Sequence, residues 1–532
     1  MAFDLFEEKW IPVLRKSGKV DRIAPKEIVD PDDPPVRVQS SRPDFDAALT
    51  EMLIGLVQTA FTPKDNEEWE EVLDEGLEPA ELARRLEPFR DVFRLDGDGP
   101  RFMQDLTVHQ DYQDEKPVVA LLMDEGVAAD ASLFAKTGRY EAFCLPDAAA
   151  ALMTLQAFAP SGGVGHRTSL RGGGPLSVTL QDELLWRTVW WNVLTRKQLR
   201  GIPGNDELKG DEHVFPWLAP TRTSERKGDP GISPDEIHPL QHYWAMPRRV
   251  RLNFEGARGS CDICGGTDVE VVRSFFSRNY GANYKGPYLH PLTPYTNKRP
   301  NQPPNPTKAG ASGISYRDWP LAFLGGEGLI PPKVVEVFIK DRSILSRRPR
   351  QLSACGYAMD NMKPLRFVEA RLPTIPGGPE KLGALRSDVI GLVEASEEVR
   401  RTLVSQVKAA WKDRPKDQSG DVNARVDHAF WDRTSSEFFE TVTSLQSAPV
   451  RDDVDAAREA KLSFLKALKN AAERTFGDLC PLEADLAPES LARTVRARRD
   501  LLKYCSPKSP RLLSLVGIAA ERKTSRKAGN AA

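Results

Sequence analysis

The stretch beyond residue 383 constrains this chain most. Residues 384–412 place Leu385, Val389, Leu392, Val399, Leu403, Val407 and Trp411 three, four or seven apart. That spacing lines apolar side chains along one face of an α-helix. Residues 425–446 repeat it with Val426, Phe430, Phe438, Val442 and Leu445, and residues 451–479 with Leu465, Leu468, Ala472, Phe476 and Leu479. A weaker stripe, Leu491, Val495 and Leu502, runs through a basic segment carrying Arg493, Arg496, Arg498, Arg499 and Lys503. Four amphipathic segments joined by short Pro/Gly/Asp linkers bury their stripes against one another, which predicts a four-helix bundle. The five cations read equally as phosphate contacts and as a solvated basic face.

The preceding part has another character. The chain holds 42 prolines and 38 glycines, mostly before residue 381. Short apolar runs such as "KWIPVL", "PLSVTL" and "VVEVFI" alternate with Pro/Gly turns and read as short strands. "FDAALTEMLIGLVQTAF" (45–61) and "ELLWRTVWWNVLTR" (183–196) read as buried helices. The change falls in "RLPTIPGGPEKLG", residues 371–383. The expected fold is α+β: an irregular mixed N-terminal domain over residues 1–380, then a C-terminal four-helix bundle over 381–532 ending in a basic tail, "ERKTSRKAGNAA".

A net charge of −2 means that nucleic-acid binding must rest on local patches. No run of eighteen apolar residues is present, and "MAFDLFEEKWIPVLRK" lacks the pattern of a signal peptide. Six cysteines in so long a chain point to a reducing, cytoplasmic setting.

"APSGGVGHRTSLRGGGP", residues 159–175, combines bare backbone with positive charge. Glycine admits close approach of a ligand, and arginine supplies forked donors to phosphate. Neither the dinucleotide fingerprint nor the Walker pattern fits. The segment is therefore either a phosphate-rich partner's contact or a plain surface turn.

"CDIC", Cys261 and Cys264, precedes Gly-Gly as in half of a zinc knuckle. "CLPD" places Cys144 and Asp147 at the same spacing, and three thiolates with one carboxylate would complete a structural metal site. The competing readings are a core cysteine, a helix N-cap aspartate and a redox pair. Searches for His-Glu-x-x-His, Gly-x-Ser-x-Gly and the zinc-deaminase pattern find nothing.

Taken in order, "FEEKWIPV", the glycine stretch, "TVWWNVLT", the Cys-x-x-Cys followed by "HPLTP", "SACGYAMDNMKPL" and the helical C-terminus resemble the CasA family. CasA is the large subunit of the type I-E CRISPR surveillance complex, Cascade. The resemblance implies a non-catalytic, cytoplasmic subunit that reads the protospacer-adjacent motif (PAM) in double-stranded target DNA, helps to separate the strands and recruits a helicase-nuclease. Its implied partners are the CRISPR guide RNA and the backbone, handle-binding and small subunits of the complex. The family's PAM loop lines up with Gly162, Gly163 and Gly165, with Val164 at a position that is glycine in the family, and with Arg167 and Arg171 holding phosphates nearby. Its PAM-reading lysine corresponds to Asn279, beside Arg278. Its strand wedge corresponds to Asp360, Asn361 and Met362. Its guide-handle loop corresponds to Phe134, Lys136 and Arg139, and its zinc site to Cys144, Asp147, Cys261 and Cys264. A different class, a zinc-dependent nucleic-acid-processing enzyme without a recognisable motif, remains the competing expectation.

Overall fold

A computed structural model describes residues 3–108, 114–125, 139–226, 228–297, 299, 301–360, 362–412, 421–482 and 487–519. The chain forms two compact units: residues 1–314 with 321–376, and residues 315–320 with 377–532. The fold is α+β.

Five small antiparallel sheets of three strands each occur among the described residues of the first unit. Helix Pro43–Ala60 packs against strand Pro35–Val38 and against helices Leu145–Phe158 and Leu185–Trp191, and most of its residues are buried. Its buried polar group Gln58 is satisfied by the backbone of Leu194 on both sides, at 2.7 and 2.9 Å. Trp69, Trp190 and Trp191 pack beside it, and the Arg342 guanidinium lies 3.6 Å from the Trp69 ring.

Two local expectations need correction. The segment 183–196 is not one helix: Leu185–Trp191 ends, and Arg196–Leu199 begins anew. Asn192 breaks it, because its side-chain amide exchanges two hydrogen bonds of 2.9 Å with the Leu180 backbone. Thr195 then caps the next turn with Gln198. "VVEVFI" is helical, Lys333–Val337 running into Phe338–Arg342. Pro332 stands at its N-cap, and Val334, Val335 and Val337 are buried, so tertiary burial overrides β-branched preference.

In the second unit the long helices are Pro379–Trp411, Asp421–Gln446, Val454–Leu479 and Pro488–Tyr504, with short ones at Ala448–Arg451 and Pro510–Leu515. The first three bury Leu392, Val399, Leu403, Phe430, Phe438, Val442, Leu465, Leu468 and Phe476. Tyr316 stacks on Phe438 with centroids 4.3 Å apart, which is why residues 315–320 belong to this unit. The Pro488–Tyr504 stripe is out of phase with the expectation. Thr494, Ala497 and Leu501 face inward, while Leu491 and Val495 are 39% and 51% exposed. No helix among the described residues is long and apolar enough to cross a membrane.

Candidate nucleic-acid cleft and metal cluster

The glycine-rich stretch divides into two halves with opposite roles. Gly172, Gly173 and Gly174 are packing glycines: an added Cβ would meet Pro306, Ser161 and the Met359 sulfur, respectively. Gly162, Gly163 and Gly165 form an outward loop with Val164 at its tip, 77% exposed. Nothing lies within 4 Å of a Cβ built on Gly162, whereas at Gly165 it would meet Asn279 and Tyr280. The Tyr280 amide donates to the Gly165 carbonyl at 2.8 Å, so the loop rests on the turn that follows strand Ser274–Arg278.

Strands Gln351–Asp360 and Lys363–Pro373 pair as an antiparallel hairpin, with a register shift after Ala358. Its base is anchored. Tyr357 donates to Asp44 Oδ2 at 2.6 Å, and a Cβ on Gly356 would strike the Pro175 carbonyl. Met359 folds back over Gly174, while Met362 is 55% exposed.

These motifs converge. Gly162, Gly163, Gly165, Arg278, Asn279 and Met362 line one cleft of about 490 Å³. Lys116, Arg248 and Lys363 line it too, and sequence reading passed over all three. The run "PRRVRL" was the available signal for Arg248, but nothing local tells which of its arginines faces a cleft. Arg248 donates at 2.5 Å to Pro160 O and to His166 Nδ1. Burial, then the Arg248 charge, pushes the His166 pKa down, so the ring is neutral and accepts. Burial brings Arg248 itself to about 10.

The two loop arginines behave differently. Arg167 is half-buried and gives Nε and one terminal nitrogen to Ser224, at 2.6 and 3.0 Å. Arg171 is only 3% exposed and is paired with Glu51 at 2.5 Å, with Ser177 and Thr293 alongside at 3.3 Å each. Its expected contact with phosphate is thereby corrected: this guanidinium compensates an interior carboxylate. Arg139 is exposed, 4.9 Å from the Tyr140 ring. Phe134, Lys136 and Asn361 lie outside the described residues.

Away from the cleft, the four expected ligands meet. Their donor atoms all lie within 4.8 Å of one another. Cys144 ends strand Phe143–Cys144 and precedes helix Leu145–Phe158, whose first turn carries Asp147. Cys261 and Cys264 sit in the turn between strands Arg258–Gly259 and Val269–Val272, with Gly265 at φ +74. Asp262, missed in the sequence, ties the halves together by accepting from the Glu141 and Ala142 amides at 2.7 and 2.8 Å. Cys144 and Cys264 sulfurs are 3.7 Å apart, and tetrahedral zinc with bonds of about 2.3 Å needs roughly 3.8 Å. Asp147 Oδ2 is 3.1 and 3.0 Å from the Cys144 and Cys261 sulfurs. Burial raises its pKa to about 6, while hydrogen bonds from Cys144 and Cys261 hold the Cys264 thiol far below its usual range. A buried carboxylate among three thiols fits a divalent soft metal better than it fits a plain core.

Comparison with known proteins agrees with this architecture. The family model described as CRISPR-associated protein Cse1 matches residues 4–475. Thermus thermophilus CasA (Cse1) superposes with TM-score 0.68 at 18% identity, over 95% of this chain and 100% of that one. Thermobifida fusca Cse1 gives 0.68 at 16% identity, over 97% and 98%. A chain of a CRISPR RNA-guided surveillance complex gives 0.65 at 16% identity, over 94% and 99%.

Proposed function

This chain belongs to the CRISPR-associated Cse1 family, and on that premise we propose that it is the non-catalytic large subunit of an RNA-guided DNA surveillance complex. The similar chain in such a complex supports assembly with guide RNA and sister subunits. In this reading the cleft receives duplex DNA at the PAM. The guide reads the long target by base pairing, and the protein reads a short motif and the backbone shape.

The observation that carries the reading is the convergence of the glycine loop, Arg278–Asn279 and Met362 on one cleft. Gly162 and Gly163 let a minor groove come close. Lys363 and Lys116 supply charge for phosphates, Arg278 faces the base edges, and Arg167 lies behind the loop. Met362 of the cleft wall meets the first unpaired step and replaces lost stacking. Once strands are open, the complex recruits a helicase-nuclease. Arg493, Arg496, Arg498, Arg499 and Lys503 of the helical unit follow the displaced or target strand through its phosphates, and Arg139 with its neighbours contacts the guide handle.

Zinc is proposed for the Cys144, Asp147, Cys261 and Cys264 cluster. It would supply cross-linking of two strand-turn segments and no reaction step.

The test is binding of guide-loaded complex to a library of PAM-bearing duplexes. Gly162→Asp is expected to abolish discrimination between PAMs, with assembly on guide RNA intact. Unchanged discrimination would refute the cleft as the PAM reader.

A further inference from the structure

Glu225 stands between two arginines that a sheet places opposite each other. Arg249 and Arg278 are direct cross-strand partners. Like charges in that position repel. The structure relieves the repulsion unequally. Arg249, 4% exposed, lies 2.8 Å from the fully buried Asp105 and also donates to Thr107 at 3.0 Å. Glu225 Oε1 approaches both arginines, at 3.4 Å from Arg249 and 3.8 Å from Arg278. Asp105 already supplies Arg249 with a full counter-charge. Glu225, which accepts a 3.4 Å hydrogen bond from Arg249, thus brings a second carboxylate to the arginine pair and offsets Arg278 as well, which is 40% exposed and lines the cleft.

Glu225 is also held in place. Its neighbour Ser224 donates its amide to Tyr280 O at 3.0 Å and its hydroxyl to Gly281 O at 2.8 Å. The same Ser224 takes the Arg167 guanidinium. The segment is therefore stapled to the turn that follows Arg278, which keeps the Glu225 side chain within reach of that arginine.

An acid at the rim of a phosphate-binding cleft opposes binding in general. We propose that Glu225 is a specificity-determining residue, which offsets the charge of Arg278 so that a bare phosphate backbone is attracted weakly while a base edge is still read. Phosphate attraction follows net charge, whereas base-edge recognition follows the direction of the guanidinium donors, so an adjacent carboxylate lowers the first more than the second. This rests on the cleft being the PAM reader.

The experiment uses guide-loaded complex carrying full-length Glu225→Gln, with labelled duplexes that either contain or lack the PAM, titrated from low to moderate salt. Binding of the PAM-less duplex should tighten about threefold to tenfold at low salt, and its salt slope should steepen by about 0.9, one added phosphate contact. The ratio of affinities between PAM-bearing and PAM-less duplex should fall. Glu225→Asp, which keeps the charge, should restore most of that ratio, and Glu225→Gln combined with Arg278→Ala should lose the gain. A structural role alone would lower stability without steepening the slope. Unchanged PAM-less affinity and slope in a folded Glu225→Gln complex overturn the inference. Gly162→Asp is run in parallel. If it leaves PAM discrimination intact, the reading of the cleft fails and the inference with it. If it removes discrimination while Glu225→Gln changes nothing, only the inference fails.

Discussion

Asn279 donates from Nδ2 to the Val164 carbonyl at 3.0 Å, joining two motifs that lie far apart in the chain. With the Tyr280 amide on Gly165 O, it makes the glycine loop and the 278–280 turn a single surface. Substitutions in the loop therefore divide by whether they break that junction.

Gly165 has φ +79, and a Cβ there would lie 2.8 Å from the Asn279 Cβ. Gly165→Ala should cost about 1–3 kcal/mol through strain and displacement of the turn. Gly162→Ala meets no neighbour within 4 Å and should stay within about 0.5 kcal/mol of the parent. Thermal unfolding of the two variants checks the difference.

Arg171→Met leaves Glu51 buried without its counter-charge. Removing one partner of such a pair costs about 3–5 kcal/mol. Denaturant unfolding should show this loss, while the salt slope of DNA binding by the folded complex stays at its parental value. Lys363→Ala, on the cleft wall, should do the reverse, with little change in stability and a slope shallower by about 1. A shallower slope for Arg171→Met would return it to the phosphate surface.

The metal cluster makes a chemical prediction. Elemental analysis should find about one equivalent of zinc per chain. Cys261→Ser should remove it and lower the melting temperature of the first unit. Asp147→Ala should weaken retention against a chelator, an effect that loss of a helix N-cap would not produce.

The bundle was readable because its long helices are each buried on one side, so periodicity alone reports the core face. It failed only in Pro488–Tyr504, where arginines dilute the apolar signal and Leu491 and Val495 point outward. The cluster of Cys144, Asp147, Cys261 and Cys264 was readable because both half-sites are local. The cleft was only partly readable. The motif residues were visible one by one, but Arg248 and Lys363 reach the cleft through long-range packing. Arg171 misled for the same reason: the glutamate that neutralises it is 120 positions away.

The corrected phase of Pro488–Tyr504 is itself testable. Leu501 is fully buried, and Leu501→Ala should cost about 2–5 kcal/mol. Val495→Ser, on the exposed side, should cost no more than about 0.5 kcal/mol. Circular dichroism melts of the full-length variants report both, and a reversed order would restore the Leu491/Val495 face as the core.

The most direct test of the cleft as a reader and opener of duplex DNA compares two targets. One is fully paired, and the other carries a pre-melted bubble next to the PAM. Guide-loaded complex bearing Asp360→Gly, Asn361→Ala and Met362→Ala together should bind the paired target at least about tenfold more weakly than the parent does. Opening a step costs a few kcal/mol that the hairpin tip no longer returns, and the bubble removes that cost. Binding to the bubble target should therefore match the parent. Equal affinities of mutant and parent for the paired target, or an equal loss on both targets, would contradict the account.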